Sequence, residues 1–170
     1  MAGAGQDEVD RIIAAWHAQR PDLDFAPLEV FSRVSRLTRH LEIARRKAFT
    51  SSELDAWEFD VLSALRRAGS PFELTPGRLM EETLVSSGTM TNRIDRLVMK
   101  GLVTREADAS DRRVVRVRLS AKGKRVVDSA MAQLLEFERE LLSPLTASRR
   151  DGLAANLRDL LVPFDDAAHH

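Results

Sequence analysis

Cysteine is absent from the 170 residues of this chain. Without it there can be no disulfide framework, no thiolate zinc site and no thiol-based redox switch. Long hydrophobic runs are absent too, and none approaches the length needed to cross a bilayer. The first twenty residues place Asp7, Glu8 and Asp10 where a signal peptide would carry positive charge, so a cytoplasmic protein is expected. Net charge is missing as well. Lys and Arg number 26 against 26 Asp and Glu, which argues against a nonspecific coat for nucleic acid. No Gly-rich phosphate loop, metal-ligand cluster or Ser/His/Asp arrangement stands out. Neither an enzyme nor a cofactor is expected. His17 and His40 lack the partners of a metal site, and the terminal His169 and His170 carry no assignment.

What is present is unevenly placed. Between Arg78 and Arg125 there are twelve Lys or Arg against six Asp or Glu, so the excess positive charge is concentrated in one segment. The length suits one domain with extensions, large enough for a real core. Residues 7–19 read as a short amphipathic helix carrying Val9, Ile12, Ile13 and Trp16 on one side, fenced by Pro21 and Pro27. A long helix is expected from Leu28 to Phe49 and another from Glu53 to Ala68, stopped by Gly69, Ser70 and Pro71. Phe72 to Thr75 reads as a small strand, and Pro76 opens a further helix. Ser120 caps a helix reaching Leu142, Pro144 breaks it, and a last helix runs from Ser148 to Val162.

Residues 84–123 carry the most information. A helix ending at Gly101 is followed by a strand (Leu102 to Glu106), an arginine-tipped turn, a returning strand (Val114 to Leu119) and a new helix start. That order is a winged helix, whose helix and wing reach adjacent grooves of one DNA duplex. Met90, Ile94, Leu97 and Val98 are expected to form the buried stripe of the reading helix. The opposite face collects Thr89, Asn92 and Arg96, with Ser86 and Ser87 at the N-terminal end. Short hydroxyls, an amide and an arginine suit base edges and phosphates, although an ordinary solvated face carries the same residues. In the wing, Arg112 and Arg113 are placed to enter a minor groove with Asp111 as a brace. The expected fold is mainly α with a small β-hairpin wing. Residues 1–50 would supply an extra helix and a first dimerisation helix, 51–120 the winged helix-turn-helix, and 121–170 the C-terminal dimerisation helices.

The terminal helices are too apolar for solvent. Pairing with a second copy accounts for both ends and gives the two-fold symmetry that reads a palindromic operator, with readers about 34 to 36 Å apart. A helical adaptor that binds protein through the same unit is the rival; it leaves Arg112 and Arg113 without a polyanion.

The run SSGTMTNRIDRLVMKGLV, then DRR, then VRLSAKG, resembles the MarR family of winged-helix transcription regulators, and the resemblance covers nearly the whole chain. It implies a DNA-binding homodimer that usually acts as a repressor. Within that family the urate-responsive branch has an extra N-terminal helix and a pocket lined by a tryptophan, an aspartate and two arginines. Trp16, Asp60, Arg93 and Arg105 resemble that set, which implies a small anionic ligand such as urate, trans-aconitate or citrate. These four do not separate the three ligands. From the residues alone, Trp16 fits a core anchor, Asp60 a surface acid, and Arg93 and Arg105 fit phosphate contacts or structural ion pairs equally well. Arg93 lies about 85° from the centre of its helix's buried stripe and so faces sideways. With one arginine on the reading helix and the other on the strand to the wing, a ligand gripping both would act on both DNA-contacting elements.

Overall fold

The computed structural model describes residues 5–107, 111 and 114–168; Arg112 and Arg113 lie outside the described residues. It divides into two compact units, Met1–Lys47 and Ala48–His170.

In the first unit, α1 (Glu8–Gln19) opens with a reciprocal cap. The Asp7 carboxylate accepts from the backbone N–H of Val9 and Asp10 at 2.8 and 3.1 Å, and the Asp10 carboxylate accepts from Asp7 N–H at 2.7 Å. Val9, Ile13 and Phe25 form a small core against Leu28. From α2 (Ala26–Thr50), Arg33 reaches Asp7 at 2.8 Å and Asp10 at 2.7 Å and also pairs with Glu29. The Arg33 guanidinium holds the Asp7 carboxyl below the usual carboxylate range, and the same bond raises Arg33 further above its ordinary value.

The second unit carries the larger core. α3 (Ala56–Arg67) begins three residues later than its pattern predicts. Glu53 takes a left-handed φ of 54°, and Asp55, still extended, donates its N–H to Glu58 at 3.0 Å. β1 (Glu73–Leu74) leads to α4 (Pro76–Thr83), whose first turn accommodates the proline and is capped by Thr75. Leu84, in the left-handed region, then redirects the chain into α5 (Ser87–Met99). β2 (Val103–Ala107) and β3 (Val115–Leu119) pair antiparallel, and β1 adds to the free edge of β3, giving the order β1-β3-β2. α6 (Ala121–Leu142) and α7 (Ala147–Ala168) complete the chain. α7 continues through Pro163, six residues beyond the expected end at Val162.

Met90, Ile94 and Leu97 bury α5 in the core, whereas Val98, expected on the same stripe, is exposed. At 100° per residue it stands about 80° round the helix from Met90. Gly101 (φ 68°) ends α5. Its N–H bonds Val98 O at 2.9 Å, and Leu102 N–H bonds Leu97 O at 2.9 Å, the paired bonds of a Schellman cap. The next helix is bolted to the same place. Ser120 donates its hydroxyl to Gly101 O at 2.8 Å and accepts from Gly123 N–H at 2.9 Å, while its own N–H reaches Leu102 O at 3.0 Å. A Cβ on Gly123 would stand 2.0 Å from Leu102 O, so only glycine fits.

Candidate nucleic-acid interface

α5 offers an open N-terminal end. Ser86 is the N-cap by backbone geometry but makes no capping bond; its hydroxyl lies 3.0 Å from that of Thr89. The first-turn N–H groups therefore face outward without a side-chain cap, which suits a phosphate. Ser86, Ser87, Thr89, Asn92 and Arg96 are all exposed on this element.

A groove of about 470 Å³ runs beside them, lined by Trp57, Gly88, Thr89, Asn92, Arg93 and Arg96. Trp57, on the first turn of α3, is the residue that sequence reasoning missed. Its ring lies under two guanidinium groups, Arg93 at 5.4 Å and Arg96 at 4.9 Å from the centroid. Its indole N–H donates to Asp55 at 3.2 Å, and Arg96 approaches the same carboxylate at 3.8 Å. Nothing in the local pattern DAWEF marks Trp57, because the partners that give it a role lie on another helix.

The remaining expected site residues are distributed as follows. Arg93 is half-buried and joins the α5 groove. Arg105, exposed on β2, pairs with Asp95 of α5 at 3.3 Å and so links the reading helix to the first wing strand. Asp60 is exposed on α3. Trp16 belongs to the first unit, where it is half-exposed and stacks on Phe25 with ring centroids 6.0 Å apart. Asp111 is exposed at the wing, where its carbonyl accepts from Val114 N–H at 2.9 Å. At the far edge of the hairpin, Arg118 bonds Glu73 through two nitrogens at 2.9 and 2.7 Å, which raises its pKa above the ordinary arginine value. Among the described residues no cluster of metal-ligating side chains occurs, and no helix is long and apolar enough to cross a membrane.

Residues 52–114 match the model of the MarR family. The chain is 34% identical to the HTH-type transcriptional regulator PecS of Dickeya dadantii over 88% of this chain and 90% of that protein. It is 30% identical to the multiple antibiotic resistance protein MarR of Salmonella typhimurium over 64% of this chain and 74% of that protein. The crystal structure of wild-type MarR from E. coli in its apo form superposes with a TM-score of 0.64 at 26% identity, covering 78% of this chain and 96% of that one. These relatives are transcriptional regulators, and regulators of this family bind DNA as dimers. The chain belongs to the MarR family of winged-helix DNA-binding transcriptional regulators, which are not enzymes.

Proposed function

We propose that this regulator is a repressor that binds a palindromic operator as a homodimer and leaves it when a small anion binds. In this reading α5 enters the major groove and the wing, with Arg112 and Arg113, the adjacent minor groove. Segment 51–120 reads the DNA, while 1–50 and 121–170 supply the two-fold contact. Support for a second copy comes from the apolar side chains left exposed on α7, where Leu153, Leu157, Leu160 and Leu161 recur at helical spacing.

The observation that carries ligand response is the Asp95–Arg105 pair. It links α5 to β2, with Arg93 on the same helix. An anion such as urate, trans-aconitate or citrate, held by Arg93 and Arg105 with Asp60, would compete for Arg105 and draw both DNA-contacting elements out of register with the operator. The same fold carries comparable control elsewhere: the BpsR protein of Bordetella bronchiseptica has its DNA binding regulated by 6-hydroxynicotinic acid.

A specific observation favours a second reading. Arg93 stacks on Trp57 beside Arg96 and Asn92, which suits a phosphate contact and would make the regulator unresponsive to anions. Fluorescence anisotropy on the protein's own upstream DNA, with each anion added at saturation, separates the two. Release by one anion supports the first reading; tight binding indifferent to all of them supports the second.

A further inference from the structure

Two apolar side chains of the reading element take no part in the core. Among the described residues Leu84 and Met99 are the most exposed large hydrophobic side chains, at 91% and 86%; the next, Phe164 on α7, stands at 73%. A lone exposed apolar residue is ordinary on a protein surface, but these two bracket one helix. Leu84 lies in the turn that enters α5 and Met99 is the last residue of α5, with about 18 Å of helix between them. Leu84 also holds a left-handed conformation, φ 53° and ψ 45°. Glycine adopts that conformation without cost, and leucine lacks the short polar side chain that eases it for asparagine. The neighbouring Val85 packs against the core, so the turn directs one apolar side chain inward and leaves the other in solvent.

We propose that Leu84 and Met99 determine operator specificity by packing on thymine methyl groups at the two ends of each half-site. This inference rests on the reading in which α5 enters the major groove. Its support is the face that the two residues share with the polar contacts. At 100° per residue Thr89, Asn92, Arg96 and Met99 fall within an arc of about 80°, nearly opposite the Met90, Ile94 and Leu97 stripe. Thr89, Asn92 and Arg96 line the Trp57 groove, so Met99 prolongs that same face by one turn. At the other end Leu84 stands two residues before the N-cap Ser86, beside the uncapped start of α5. Between them the face offers hydroxyl, amide and guanidinium groups, which suit acceptors on bases and phosphates. The thymine methyl is the one apolar group that base pairs present in the major groove, and it gives both exposed side chains a partner.

The test compares the protein's own upstream DNA made with thymidine and made with deoxyuridine throughout, which differ only in that methyl, by anisotropy with the full chain. One buried methyl is worth about fourfold in affinity, and a two-fold dimer makes each contact twice. The wild type should therefore bind the thymidine DNA at least about tenfold more tightly. Neither side chain is buried, so Met99→Ala and Leu84→Gly keep the fold; each should weaken binding to thymidine DNA and shrink that ratio at least about threefold. Met99→Leu, of similar volume, should preserve it. Equal wild-type affinity for the two DNAs overturns the inference and leaves operator binding intact. A variant that retains the wild-type ratio, or is weakened equally on both DNAs, overturns it for its residue. Failure of the wild type to bind the thymidine DNA would overturn the operator reading and this inference with it.

Discussion

The Glu58 carboxylate, buried in the first turn of α3, holds the Lys100 ammonium at 2.6 Å and thereby fastens the start of α3 to the residue that caps the end of α5. Lys100 donates to the second carboxylate oxygen at 2.8 Å, and Asp55 N–H reaches that oxygen too; at the first oxygen the contact is an ion pair without a well-directed hydrogen bond. The reading helix is thus positioned at its far end by one charged link, in addition to its buried stripe.

Removing one partner of a buried pair leaves an uncompensated charge. Lys100→Met should destabilise the protein by about 3 kcal/mol, read as a lower urea midpoint with unchanged slope. Adding Glu58→Gln to that variant should recover part of the loss, because the stranded carboxylate is then gone. Stability equal to wild type in Lys100→Met would show that the link carries nothing.

Trp57 contributes through the two guanidinium groups it orients. Each exposed cation–π contact is worth about 0.5–1 kcal/mol. Trp57→Ala should therefore raise the operator dissociation constant about five- to thirtyfold, with Trp57→Phe in between. An unchanged affinity would assign Trp57 to packing alone.

Gly123 has no room for a side chain, since any Cβ meets the Leu102 carbonyl at 2.0 Å. Gly123→Ala should cost at least about 2 kcal/mol and loosen the joint between β2 and α6, whereas Gly88→Ala, with nothing within 4 Å, should leave thermal stability unchanged. Equal melting temperatures for the two variants would contradict this account of the joint.

Acidification should release the cap of α1. Asp7 has its pKa lowered in the folded protein, chiefly by its bond to Arg33. Its contribution is present above the ordinary carboxylate value of about 3.9 and is lost as pH falls through the lower folded value. In a carboxyl-detected NMR titration the Asp7 midpoint should lie below the ordinary value and move up in Arg33→Ala. A midpoint that ignores Arg33 would remove the electrostatic explanation.

Elements with a local chemical signature were legible in the sequence. Pro76, Gly101 and Ser120 each do locally what their residue types prescribe. The LSAKG run has a concrete cause, the Ser120 bonds and the tight approach at Gly123. What escaped depends on tertiary partners or on turns without a residue code. Glu53 adopts a left-handed turn that its type does not announce, so α3 starts late. α7 passes through Pro163 where a stop was expected. Trp57 and Glu58 acquire their roles only when α5 is laid beside α3. The partner of Arg105 was hidden for the same reason: Asp95 reads as a plain surface acid until β2 is placed against α5.

The central claim is that Arg105 transmits ligand binding to the reading helix, and the most direct test is operator release in wild type and Arg105→Ala. Anisotropy should first establish, without ligand, that the two bind the operator within about fivefold, since an exposed pair such as Arg105–Asp95 contributes about 0–1 kcal/mol. Urate, trans-aconitate or citrate should then release the wild type and leave the Arg105→Ala complex bound. Release of both proteins at the same anion concentration would contradict the claim.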